Sequence, residues 1–378
     1  MDINNRLFKK IYGSIAAANI GSAMGAAVEW VSVPGGGWKA IEEKWGWVEG
    51  FLPWIQQERD VRYWNNSPLL HYYRMDMAPG MTEDGAEIRY LLALAIIQKQ
   101  GRVNVDDLAE VWKQNIKRED IGRLVNPHIV IHFDRLTAGN HFTRIAPRFI
   151  GSMTPWPGLV DAPHMIGPIG IINACDPEQA AFDAAEVSLL IQPPESGGTE
   201  SSKAIAAATA AAFEPDATVE SIVAATRRCV SEKTRGIIDE ALEIAAKYPD
   251  TKAIREPIRK HFAPTYPYAD GVETAAESIA LFVITQGDVR AGMIGATNLG
   301  RDTDCIGGML GPICGALKGI DNVPSEWVSQ VDKAISENPY TMQKLSMVEV
   351  SEGLYSALLN HKQRLARQIS AIDLMKNN

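Results

Sequence analysis

Gly300-Arg301-Asp302-Thr303-Asp304-Cys305-Ile306-Gly307-Gly308-Met309 sets two carboxylates two residues apart, directly ahead of a glycine-rich apolar run. Inside a formed helix, residues i and i+2 point about 200° apart and cannot share a ligand. At a loop-to-helix junction they converge. Carboxylate oxygens completed by a hydroxyl or water suit a hard dication such as Mg²⁺ or Mn²⁺. The competing reading is a helix start, with Asp302 as N-cap and Asp304 favoured by the helix dipole. The run that follows is helical by its rhythm: Ile306, Met309, Leu310, Ile313, Cys314 and Leu317. Gly307, Gly311 and Gly315 bare a stripe of its backbone for close packing.

The same small-residue spacing recurs upstream, at Gly13, Gly21 and Gly25 within a helical stretch over residues 5–30. Two helices this smooth are expected to pack tightly in one core. The first ends in Val28-Glu29-Trp30, so the Glu29 carboxylate can reach a pocket. A second acidic junction, Pro79-Gly80-Met81-Thr82-Glu83-Asp84-Gly85, precedes a helix with Ile88, Leu91, Leu92, Ala95 and Ile96 on one stripe. Its plain reading is a Thr82 N-cap with acids in the first turn.

Composition excludes several classes. With 378 residues, 46% apolar and 22% charged, the chain can bury a large core. A net charge of -9 without a Lys/Arg block argues against nucleic-acid binding. A polar amino-terminal stretch and the lack of a long uncharged apolar run predict neither a signal peptide nor a membrane span. Cys175, Cys229, Cys305 and Cys314 are scattered, which fits a reduced, cytoplasmic protein and indicates neither disulfides nor zinc. His128, His132, His141 and His164 are likewise too irregularly spaced to propose a zinc site.

The rest of the chain predicts little but helix. Residues 31–76 read as a long aromatic loop or lid: six of the nine tryptophans lie between Trp30 and Trp64. They can stack on a sugar or base, or simply pack the lid down. Residues 104–120 read as helix. Residues 121–175 read as an irregular stretch whose glycines, Gly139 beside Asn140 and Gly167 among them, can let backbone N–H groups approach a phosphate. Helices follow over 177–191, 199–213, 217–231 (capped by Asp216), 233–247, 272–286 and from 288. The tail, 324–374, reads as amphipathic helix. Strand-like alternation is scarce, so one all-α domain over 1–378 is expected.

Three segments in order resemble the ADP-ribosylglycohydrolase family, which includes dinitrogenase reductase-activating glycohydrolase, the ADP-ribosyl-acceptor hydrolases and lens crystallins. Gly21-Ser22-Ala23-Met24-Gly25-Ala26-Ala27-Val28-Glu29 is similar to its G-D-A-x-G-x-x-x-E motif, Thr82-Glu83-Asp84-Gly85 to T-D-D-[TG], and Gly300-Arg301-Asp302-Thr303-Asp304-Cys305 to G-x-D-x-D-[TC]. Met165-Ile166-Gly167-Pro168-Ile169-Gly170 is a weaker match to M-R-x-x-P-[LI]-G. The resemblance covers about 8–320 and leaves 321–378 as a helical extension. It implies an all-α fold with two Mg²⁺ or Mn²⁺ ions at the base of a cleft, and cleavage of the ribose C1″ bond of an ADP-ribosyl group. It assigns Thr82, Glu83, Asp84, Asp302 and Asp304 as metal ligands, Glu29 as the catalytic carboxylate, and Cys305, Gly167, Gly139 and Asn140 to the substrate side. The departures are Ser22 for Asp, Glu83 for the middle Asp, Cys305 for a ligating Thr, and Ile166 for Arg. They keep two alternatives open: hydrolysis of a smaller riboside without the diphosphate, and a non-catalytic ADP-ribose-binding relative.

Overall fold

The computed structural model describes residues 5–29, 37–53, 77–118, 127–139 and 143–376. Among them are eighteen α-helices: α1 Arg6–Glu29, α2 Gly37–Trp45, α3 Asp84–Lys99, α4 Val105–Asn115, α5 Pro127–Thr137, α6 Pro147–Ile150, α7 Asp161–Met165, α8 Gly167–Ile172, α9 Pro177–Ser188, α10 Gly197–Ala211, α11 Val219–Arg228, α12 Glu232–Ala245, α13 Arg255–Phe262, α14 Gly271–Ile284, α15 Val289–Leu299, α16 Thr303–Lys318, α17 Ser325–Glu337 and α18 Met347–Lys376. No strand forms among the described residues, and one antiparallel bridge, Leu159 to Asp270, joins two loops.

The centre of the fold is the pair α1 and α16. A Cβ on Gly21 would lie 2.3 Å from the Gly307 carbonyl oxygen, and one on Gly25 would lie 2.3 Å from the Asp304 amide nitrogen. No other residue type allows that approach, so the two glycine stripes are the contact. The Thr303 hydroxyl donates to the Gly25 carbonyl at 2.9 Å and locks the register. Both helices are buried on nearly every face, which explains their weak amphipathic pattern. By length and composition α1 is apolar enough to cross a membrane, but 89% of its most apolar window is inside the fold. Met347, Val350 and Leu354 of α18 belong to the same contiguous core as Ile11, Ile20 and Met309.

Local expectations are corrected in five places. The stretch read as a loop over 31–76 contains helix α2, whose nine residues are too few for a period to register. Residues 121–175 are not mainly irregular: α5 to α8 lie there, short helices whose few turns give periodicity too little length to register. The cap of α11 is Thr218, paired with Ser221 in a capping box, and not Asp216. The cap of α3 is Glu83, which accepts from the Gly85 and Ala86 amides, and not Thr82. The tail is two helices, α17 and α18, with residues 338–346 between them.

Candidate metal centre

Four chain segments meet where α16 begins. Helix α1 delivers Glu29 at its carboxyl end, and the start of α3 delivers Thr82, Glu83 and Asp84. The turn into α16 delivers Asp302 and Asp304, and α7 delivers Asp161 and His164. Donor atoms of Glu29, Asp302 and Asp304 lie within 4.8 Å of one another. The same holds for Glu83, Asp84 and Asp304, and for His164, Asp304 and Cys305. Asp304 belongs to all three groups. Glu29, Thr82, Glu83, Asp302 and Asp304 are all buried.

Asp302 decides between the two readings of the D-x-D pair. It occupies the N-cap position of α16, yet its side chain makes no cap hydrogen bond. Its Oδ2 and the Oδ1 of Asp304 are buried without a hydrogen-bond partner. Buried carboxylate oxygens left in that state cost several kcal/mol, roughly, unless a cation takes the place of the missing donors. The residues therefore fit a divalent ion by position, by donor chemistry and by their unsatisfied oxygens.

Electrostatics point the same way. Burial, followed by the neighbouring Asp304 charge, pushes the Glu29 carboxyl well above the usual carboxylate range. Burial and then Glu29 raise Asp302 to about 8. Burial and then Asp302 raise Asp304 well above its ordinary value. These shifts describe a cluster that repels itself until positive charge enters.

Arg301 holds the turn in place. It adopts φ +59°, unusual for a residue with a Cβ, just after Gly300 at φ +83°. Its guanidinium pairs with Glu273 at 3.0 Å and donates to the Tyr266 and Pro267 carbonyls at 3.1 and 2.7 Å. The same loop carries Tyr268, whose hydroxyl donates to Glu29 Oε1. Backbone bonds from Val160 to Ala269 and from Gly271 to Gly158 then dock α7 against this loop.

Comparison with known proteins matches residues 3–363 to the ADP-ribosylglycohydrolase family. The chain belongs to that family. It is 20% identical over 340 residues to the uncharacterized protein YegU of Escherichia coli (strain K12), covering 86% of this chain and 92% of that protein. A solved structure described as an ADP-ribosylglycohydrolase-related protein complex superposes with a TM-score of 0.61 at 15% identity, over 93% of this chain and 99% of that one. The family match supports a glycohydrolase-like enzyme.

Three of the four departures from the family pattern form one connected set. Ser22 Oγ lies 3.0 Å from His164 Nε2 and accepts from Arg89 at 3.2 Å. Cys305 Sγ lies 3.1 Å from His164 Nδ1. Glu83 Oε1 lies 3.5 Å from His164 Nε2. His164 thus sits at the middle of three unusual residues, in a slot open only because residues 85 and 308 are glycines: a Cβ at either would lie 2.2 Å from the imidazole. The irregular spacing that proposed no zinc site along the chain does not keep these donors apart in space: His164, Asp304 and Cys305 offer donor atoms within 4.8 Å of one another. His164, Asp161 and Tyr268 escape a sequence reading because their partners lie roughly 80 to 240 positions away. The available signal is the pair Gly85 and Gly308, where a Cβ would meet the ring.

Gly167 is buried, with Pro312 filling the space a Cβ would need, and Gly139 is a positive-φ turn beside Thr143. Asn140 lies outside the described residues, as do Trp30, Trp54 and Trp64. Trp38 and Trp47 pack on the buried Arg255, whose Cζ is 4.1 and 5.2 Å from their ring centroids. These two rings anchor their segment through the Arg255 guanidinium.

Removal of metal carries a pH signature. The folded chain holds protons on Asp161 (about 7) and Asp302 (about 8) that the unfolded chain releases near pH 4. Unfolding free energy of the metal-free protein therefore falls as pH rises from about 4 to about 8. Melting temperature without metal should be higher at about pH 6 than at about pH 9. Added Mn²⁺ should raise it more at the higher pH, because more charge is there to neutralise. Thermal melts with and without EDTA check this, and an equal Mn²⁺ shift at both pH values would refute it.

Proposed function

We propose that this chain is a metal-dependent glycoside hydrolase that cleaves the ribose C1″ bond joining an ADP-ribosyl group to an acceptor. The observation that carries the reading is Asp304: one buried carboxylate with an unsatisfied oxygen, shared by adjoining donor clusters. Thr82, Glu83 and Asp84 would hold one Mg²⁺ or Mn²⁺, and Asp302 a second, with Asp304 between them. When bound, the ions supply Lewis-acid polarisation of the ribose hydroxyls and lower the pKa of a water.

The chain's own groups do the rest. Tyr268 fixes the Glu29 carboxyl through Oε1. Glu29 gives a proton to the departing acceptor as positive charge grows at C1″, then takes one from the attacking water. Arg301 and Glu273 tie the turn ahead of α16 to the first turn of α14. The whole of 1–378 acts as one domain in this reading, with α17 and α18 bracing the core behind the site.

A smaller riboside is the second reading. Met165 and Ile166 are fully buried, so 165–170 offers no cation to a diphosphate. Calorimetric titration separates the two. ADP-ribose binding with Mg²⁺ and not with EDTA supports the first. Binding of ribose or a nucleoside alone, with metal retained, selects the second. Neither metal nor ligand bound would leave a non-catalytic relative.

A further inference from the structure

We infer that His164, Asp304 and Cys305 form a thiolate-containing position for a borderline transition ion such as Zn²⁺ or Co²⁺, beside the carboxylate positions proposed above. The inference deepens that reading, since it shares Asp304 with it, but concerns a different ion chemistry.

Three donor types converge here, an imidazole nitrogen, a carboxylate oxygen and a sulfur, within 4.8 Å of one another. The side chains are 2%, 4% and 7% exposed, so water competes poorly for an ion. Asp304 Oδ1, buried and without a partner, is the oxygen this position shares with the carboxylate positions proposed above. The Nδ1 to Sγ distance of 3.1 Å is near the ~3.5 Å expected between nitrogen and thiolate on a tetrahedral zinc.

Mg²⁺ rejects sulfur, whereas Zn²⁺ and Co²⁺ take nitrogen, sulfur and oxygen together. Ser22 fixes the far nitrogen of the ring, as the partners of metal-bound histidines do. Cys305 enters as thiolate, and its proton leaves to solvent as the ion arrives. The buried Arg89 guanidinium, which donates to Ser22 and Asn19, offsets part of the added negative charge.

The test is Co²⁺ added to the metal-free, full-length protein, followed by absorption. We expect a near-ultraviolet thiolate-to-cobalt charge-transfer band with one ion per band. Cys305→Ser should abolish the band, and Cys175→Ser, altering the exposed cysteine, should keep it. Zn²⁺ should displace Co²⁺ at stoichiometric concentration, with Mg²⁺ failing at a hundredfold excess. Circular dichroism confirms that each variant folds, and His164→Gln gives an independent loss of the band.

Wild-type protein that takes up Mn²⁺, seen by electron paramagnetic resonance, but shows no thiolate band overturns this inference and leaves the proposed function standing. A band that survives Cys305→Ser overturns it as well. A band with no second, Mn²⁺-type position supports the inference and removes the two-carboxylate-site reading instead.

Discussion

Asp304→Asn is expected to empty the whole centre, because the residue is common to every donor group there. Turnover should fall about 10³-fold, the loss of roughly 4 kcal/mol of charge stabilisation. Metal content, measured by elemental analysis after gel filtration, should fall with it. Stability should move the other way. In the metal-free protein the substitution removes a carboxyl that burial and the neighbouring Asp302 force to take up a proton on folding. The variant should therefore melt several degrees above metal-free wild type, and the two should converge or cross when Mn²⁺ is added. This opposition of sign matters, since a purely structural Asp304 would lose activity and stability together. An Asp304→Asn protein that retains full metal content would sink the site assignment.

Glu29→Gln separates catalysis from binding. The substitution keeps an oxygen donor and the shape of the side chain but cannot transfer a proton. Turnover should fall by roughly 10²–10⁴, the usual span for a lost general acid or base. Metal uptake should persist, because Asp302 and Asp304 remain and the amide oxygen can still face the ion. KM should change little. Loss of metal in parallel with turnover would make Glu29 a ligand and leave the proton transfer to another group. Tyr268→Phe offers a gradation between these outcomes: it leaves the carboxyl in place and removes only the hydroxyl that orients it.

Much of the site was legible because its residues come in short local patterns. A carboxylate pair ahead of a glycine-rich helix, a second acidic helix start and a glutamate ending a smooth helix are each readable within ten residues. The rhythm of α16 and the matching stripe in α1 also foretold tight packing in one core, since glycine every four residues has little use other than backbone approach; that the two stripes meet each other is a tertiary finding. The short helices α5 to α8 were harder. Four to eleven residues show too few turns for a period, and Gly, Pro and His there read as loop.

By itself the sequence determined the helical class, the family pattern, the two acidic junctions and the tight packing of two glycine-striped helices in one core, because each is set by local propensity or by side-chain size. Only the tertiary structure decided whether Asp302 is a cap or a donor, because that depends on where its oxygens go and not on its neighbours in the chain. Only the tertiary structure joined Ser22, Glu83 and Cys305 through His164. The slot for that ring exists between Gly85 and Gly308, more than two hundred residues apart, and it forms when α3, α7 and α16 close on one point.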